Sequence, residues 1–408
     1  MPAPAEPEVP PTPAEPATVG KLPTLDVTTA GGAAIASKNE YVEATFVWDD
    51  GEDHFSAPGK IRGRGNATWT YEKKPYRVKF EQKQSVCGFA ADKDWVLLAE
   101  YCDKSLMRTT WMRGLSEAVG MPYTINCRHI ELTVNGSYEG IYLICDHVEK
   151  ASGRINIEDD GFIIEDDHYW AQEPLSFSSR QGFYTFKYPD ADDEEITRVS
   201  ESYYFIRDFV KGMEDALFSP GFSNPESGYR TWLDVDTFVK WYLVNELLGN
   251  YDPNFYYVLP TRQARLMMYP LWDFEWSLGL AGRAANGIGW ASPPFVSPVD
   301  IEIWSREKYF ARLFQDPYFV GEVRKQWSDL KPKLPDFKAT MHSVAESISV
   351  AQEANFERWP ILDQYIAVGL IALGSWEAEV DYLEDFFDRR VAWFDGFITN
   401  YTSRSTSD

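Results

Sequence analysis

Asn250-Tyr251-Asp252-Pro253-Asn254 and, further along, Leu271-Trp272-Asp273-Phe274-Glu275-Trp276 carry the side-chain oxygens that phosphoryl transfer uses. That reaction needs one carboxylate to orient the acceptor hydroxyl, and an Asn and an Asp to hold a divalent cation on the phosphates. Mg²⁺ prefers hard oxygen ligands and takes only one or two carboxylates from protein. An Asp/Asn pair on a loop, followed by an Asp at the end of a strand, meets that need. The plainer reading of the same residues is a turn capped by Asp-Pro-Asn and a buried, hydrogen-bonded Asp273.

Two cationic stretches precede them. In Ile61-Arg62-Gly63-Arg64-Gly65-Asn66-Ala67-Thr68-Trp69, glycine allows close backbone approach to a ligand, and arginine offers a two-pronged donor to phosphate or carboxylate. No Gly-Lys-Ser/Thr follows, so this is not a Walker A loop; a glycine bulge in a strand with solvated arginines is the alternative. In Lys73-Lys74-Pro75-Tyr76-Arg77-Val78-Lys79-Phe80, alternation puts Arg77 and Lys79 on one strand face and Val78 and Phe80 on the other. That face binds an anion or is simply solvated. The histidines lack metal-ligand spacing, and no G-x-S-x-G elbow is present. Glu165-Asp166-Asp167 would suit a glycosidase, but carboxylates are so common in this chain that their adjacency says little.

These residues must be held by two kinds of element. Tyr41–Trp48 alternates apolar and polar as a half-buried strand does, and Asp49-Asp50-Gly51 reads as the turn after it. Lys60–Gly65, the region of Tyr76–Phe80, and Trp95–Leu98 read as further short strands. From about Asp103 to Ala118 the period becomes helical, with Asp103 or Ser105 as the cap. Ile130–Val134 and Gly140–Ile144 flank Asn135-Gly136, a strong hairpin signal. Glu201–Leu217 and Val235–Leu248 have helical spacing, and Phe255–Val258 and Leu266–Leu271 read as two strands around a polar turn. Trp304 to Phe397 reads as nearly continuous amphipathic helix broken at Pro332, Pro335 and Pro360, with a loop at Ala281–Pro298 before it. The class expected is α+β, with a β-rich lobe over 22–149 containing one helix, a helix-rich lobe over 150–402 that carries the loops described above, and a tail at 403–408.

The chain has 408 residues, 44% of them hydrophobic, which is enough to build a core. A net charge of −24 repels nucleic acid over most of the surface and requires any site for an anion to be a local basic patch. Cys87, Cys102, Cys127 and Cys145 are too far apart for a C-x-x-C pair; they are buried thiols, or disulfides in one of three pairings. No run of about 18 apolar residues exists to span a membrane, and no signal peptide is visible. Residues 1–21, rich in Pro, Ala and Glu, are expected to be an extended, semi-rigid tether. A lipid-anchoring signal upstream of that tether is part of the expectation, and it would be the chain's sole link to a membrane.

IRGRGNATW, KKPYRVKF, DWVLLAEYCDKSLMRTTW, IELTVNGSYEGIYLICDHVE, NELLGNYDPNFYY and LWDFEWSLG, in that order from about Leu22 to Thr399, resemble the CotH kinase family, and most of all its versions in exported Bacteroidetes proteins. The resemblance implies a reduced, atypical protein-kinase-like fold of two lobes. It also implies Mg²⁺-dependent transfer of the ATP γ-phosphate to Ser/Thr of a protein; spore-coat members phosphorylate coat proteins. By position, Asp252 falls on the family's catalytic-loop aspartate, Asn254 or Asn250 near its metal-binding polar residue, and Asp273 on its metal-binding aspartate. Lys74 and Lys79 stand as phosphate-binding lysines with Arg62 and Arg64 nearby, and Glu149 approaches the nucleotide. Two departures stand out. The Asp252-Pro253-Asn254 spacing is shorter than in kinases, and Glu275 replaces the second Asp of WDFD. The implied location is outside the cytoplasm, in the periplasm or at the cell surface as a lipoprotein, where ATP is scarce. The rival readings are therefore a non-catalytic surface protein that binds a protein or glycan, and a carbohydrate-active enzyme.

Overall fold

The computed structural model describes residues 21–191, 195–250, 252–281, 308–367, 369 and 371–402. The tether up to residue 20, most of the loop expected at 281–298, Tyr251, and the tail from 403 lie outside the described residues.

Seven strands form the first half: β1 (Thr24–Thr29), β2 (Val42–Asp49), β3 (His54–Gly63), β4 (Tyr76–Gln84), β5 (Asp92–Leu98), β6 (Cys127–Val134) and β7 (Ser137–Asp146). They close into a barrel in the order β1-β2-β3-β4-β5-β7-β6. This differs from the antiparallel sheet expected. Closure comes from β1, whose brief TLDVTT run carries little pattern of its own. It pairs antiparallel with β2 and also parallel with β6, from Thr24↔Glu131 to Val27↔Val134. Alternation sends Phe46, Trp48, Ile61, Val78, Trp95 and Ile144 into the barrel, which they fill, so the interior is core rather than ligand space. Asn135 and Gly136 turn the β6–β7 hairpin with φ of 51° and 78°, as a type I′ turn requires.

The inserted helix, α1 (Arg108–Val119), begins later than the helical period suggests. Residues 103–107 instead wrap the Asp103 carboxylate, which accepts from the backbone N–H groups of Ser105, Met107 and Arg108. Asp103 thus organises the helix entry from outside the helix.

The second half holds α2 (Glu201–Leu217), α3 (Val235–Leu247), and α4 (Lys308–Leu313) to α8 (Trp376–Asn400), the latter group including α5 (Pro317–Leu330), α6 (Leu334–Ile348) and α7 (Ala351–Arg358). It also holds a sheet that the sequence reading largely missed. This sheet has the order β12-β11-β8-β10-β9, from β8 (Phe162–Asp166), β9 (Ser176–Ser178), β10 (Phe183–Tyr188), β11 (Phe255–Leu259) and β12 (Met267–Met268). β12 is shorter than expected because Pro270 has no N–H for a ladder. α3 is apolar almost all round, as a central buried helix must be. β5 and β7 are buried on both faces, with barrel core on one side and helices on the other. That shared wall fixes the barrel against the second half. No helix among the described residues is long and apolar enough to cross a membrane. All four cysteines are buried thiols.

Candidate active site

A cavity of about 280 Å³ lies between the barrel rim and the five-stranded sheet. The rim supplies the segment after β3 (Arg64–Thr68), Lys73, and the segment after β5 (Leu98–Tyr101). The sheet supplies the end of β8 (Glu165–Tyr169), the entry to β11 (Asp252, Asn254, Tyr256) and the turn Trp272–Trp276.

Asp252 and Asp273 meet here because β11 and β12 form a hairpin, with Tyr257 opposite Met268. Asn250, itself buried, ties the two loops together. Its amide donates to Asn245 Oδ1 at 3.1 Å and to the Asp273 carbonyl at 3.4 Å, while its own Oδ1 accepts from Asp252 N at 3.3 Å. Asp273 adopts a left-handed φ of 62°, a conformation that Asp tolerates better than most residues. Burial pushes its carboxyl up to about 6; the charges of Asp252 and Glu165 add to the push, while Arg64 and a hydrogen bond from Asn254 oppose it. The side chain is exposed to the cavity, so water relieves part of the burial penalty.

Deeper in, burial raises Glu275 to about 7, with Asp273 and Asp103 adding like charge and the Cys102 N–H, 3.1 Å away, resisting. Glu100 is driven up by burial and by Asp103 and Glu275. Its Oε1 accepts from Thr109 at 2.9 Å, and its buried Oε2 has no partner among the described residues. The positive side chains are Arg64, whose guanidinium lies 5.6 Å from the Trp272 ring, with Lys73, and Lys187, which pairs with Glu165 at 3.0 Å. The cavity is therefore a carboxylate-rich chamber with cations on its walls.

A family model described as CotH kinase protein matches residues 61–394. The chain belongs to the CotH kinase protein family. No curated protein matches it. The matched span contains every residue lining the cavity, while β1 and β2, which complete the barrel, lie before it.

Of the residues aligned with the CotH pattern, the structure brings Arg64, Asp252, Asn254 and Asp273 into one cavity. Asn250 braces that group from behind. The other four lie elsewhere. Arg62 donates to the carbonyls of Lys38 and Gly63 and covers the Tyr41 ring on the barrel wall. Lys79 pairs with Asp94 at 3.6 Å. Lys74 donates to the Trp69 carbonyl at 2.8 Å, and Glu149 pairs with Arg154. The reason is geometric: Arg62 and Lys79 sit within strands and point outward, whereas Arg64 lies past the end of β3, on the rim. The glycines also play a different part from the one expected. A Cβ on Gly63 would fall 2.3 Å from the Trp69 ring, and one on Gly65 2.1 Å from Thr68 Oγ1, so they admit the loop's own side chains. Glu100 and Lys187 were missed, Lys73 was read only as part of the cationic stretch before β4, and Glu165-Asp166-Asp167 was noticed but set aside as one acidic run among many. The apolar FII before that run was the available sign that a buried strand delivers the acids.

Among the described residues, no group of three His, Cys, Asp or Glu side chains is arranged to hold a metal ion. Asp252, Asp273 and the amide oxygen of Asn254 are hard oxygen donors, and the Asp252 charge helps burial raise the Asp273 carboxyl. Such a set suits Mg²⁺, which keeps several waters and asks few ligands of the protein.

Proposed function

We propose that this chain is a Mg²⁺-dependent protein kinase that transfers the ATP γ-phosphate to a Ser or Thr hydroxyl. The observation that carries the reading is the convergence of Asp252, Asn254, Asp273 and Arg64 in one cavity. Asp273 and Asn254 would hold Mg²⁺, which supplies charge neutralisation on the phosphates. Arg64, braced by Trp272, faces the anionic oxygens as they shift charge in the transition state. Asp252, exposed at the cavity, orients the acceptor hydroxyl and takes its proton as the oxygen bonds to the γ-phosphorus and the bond to ADP breaks. The two-lobed kinase-like arrangement belongs to this proposal, with the barrel as one lobe. So do a protein acceptor and export, which the resemblance alone supports, and a tether role for residues 1–21, which their Pro, Ala and Glu content supports.

A second reading, a surface protein that binds glycans, has one observation in its favour. Trp170 stacks on the exposed Phe183 at 4.3 Å beside the exposed Tyr169, a platform of the kind sugar rings pack on. Transfer of ³²P from γ-labelled ATP to a mixed acceptor-protein pool, with wild type and Asp252→Asn side by side, tests the first reading. Mg²⁺-dependent labelling lost in the variant supports it. Equal labelling by both, or none by either, refutes it.

A further inference from the structure

β7 bulges at Glu139, since Leu132 pairs with Gly140 while Thr133 pairs with Tyr138. Gly140, at φ 97°, leaves a gap beside the bulge: a Cβ there would lie 2.5 Å from Asn355 Oδ1 and 3.2 Å from Trp359 Nε1. Through this gap Asn355 of α7 enters the barrel wall. Its Oδ1 accepts from Ile141 N at 3.0 Å and from Lys73 Nζ at 3.1 Å. Lys73 also donates to the Ile141 carbonyl, is 2% exposed, and lines the cavity. From outside, α7 is latched to the same bulge, with Trp359 Nε1 donating to the Glu139 carbonyl at 2.9 Å and Arg358 Nε to the Tyr138 carbonyl at 3.0 Å. Bulges are found next to active sites, where they re-aim side chains.

We propose that Asn355 is a positioning residue of the cavity: reaching through the gap at Gly140, it fixes the Lys73 amine as a wall contact for an anionic ligand. The ligand class rests on the nucleotide reading above. The charged or titratable groups facing Lys73 are Glu100 beyond β5, Glu275 in the turn after β12 and Glu139 on β7; the Tyr142 ring lies 4.7 Å away, and α7 presents only the neutral amide. Burial brings the amine down to about 7 against the pull of those three acids. A neutral amine has two N–H groups, and both are engaged by Ile141 and Asn355. An anionic oxygen arriving from the cavity favours a third N–H, gained as a proton from solvent. Binding therefore tightens as pH falls through neutrality. An amide at 355 can satisfy Lys73 without fixing its charge, whereas a carboxylate there would lock it on.

NMR titration of the full chain labelled at lysine Cε and Nζ tests this, with Lys73 assigned through Lys73→Arg. In wild type without ligand the Lys73 midpoint falls near 7, and Asn355→Asp, nearly the same shape, moves it up by about 1–3 pH units. Adding MgATP charges Lys73 in wild type. Gly140→Ala, which displaces Asn355, weakens ATP binding by about tenfold. An unmoved midpoint in an Asn355→Asp protein that melts like wild type overturns the inference. If ATP does not bind at all, the nucleotide reading fails and pyrophosphate decides this one: a pyrophosphate-induced charging of Lys73 sustains it, and silence with both anions overturns it.

Discussion

Arg108 with Asp103, Arg390 with Glu246, and Lys104 with Glu379 are ion pairs packed among the helices, every side chain at most 1% exposed. Around the cavity the balance differs. Asp273, Glu275 and Glu100 crowd one another, all are held above the ordinary carboxylate range, and one Glu100 oxygen has no partner among the described residues. In each of these three pairs a buried charge has an opposite charge beside it, which is what folding requires of it, even though one Glu379 oxygen, like that of Glu100, has no hydrogen-bond partner among the described residues. At the cavity, acid accumulates beyond what Arg64, Lys73 and Lys187 offset. That surplus is destabilising by itself; on the proposed function it would be offset when a cation and a phosphate enter together.

Breaking a matched pair should have the largest effect. Arg108→Ala strands the Asp103 carboxylate, and stability in urea should fall by about 3–5 kcal/mol. A fall under about 1 kcal/mol would erase the contrast between the two regions. Next in size is the acceptor-side carboxylate. Asp252→Asn should reduce phosphoryl transfer by about 10²–10⁴-fold and leave ATP affinity and melting near wild type; retained transfer would remove Asp252 from that role. The surplus acid then makes a pH prediction. Asp273 and Glu275 have raised folded-state values, so the native state holds their protons longer than the unfolded chain does. Stability should be highest below about pH 4 as far as these groups are concerned, and should fall as pH rises to about 7, on the order of 1–2 kcal/mol once water in the cavity is allowed for. The double variant Asp273→Asn/Glu275→Gln should flatten that slope, and an identical slope in urea melts across pH 4–8 would refute the crowding. The smallest effect belongs to the barrel wall. Lys79→Ala, which removes a half-exposed partner of Asp94, should change stability by under about 1 kcal/mol and leave nucleotide binding alone.

The convergence of the Asp252 and Asp273 loops was legible in the sequence because it is local. Asp252, Asn254 and Asp273 sit on turns flanking a hairpin whose strands announce themselves, so spacing along the chain translates directly into proximity. The Asn135-Gly136 turn was readable for the same reason. Barrel closure was not, because the β1–β6 pairing is decided by partners about a hundred residues apart, and nothing in TLDVTT specifies them. Which cations line the cavity was not legible for a related reason. Alternation gives the face of a strand but not whether that face lines a rim or an outer wall, so Lys74 and Lys79 were chosen over Lys73. Lys73 precedes the strand, and its place depends on Asn355, which lies 282 residues away in the chain.

Calorimetric titration of the full chain with ATP, with and without Mg²⁺, alongside Asp273→Ala tests the central claim most directly. The cavity account predicts Mg²⁺-dependent binding to wild type that disappears in a variant still folded at the wild-type melting temperature. Failure of wild type to bind at millimolar ATP, or binding that survives in Asp273→Ala, would contradict it.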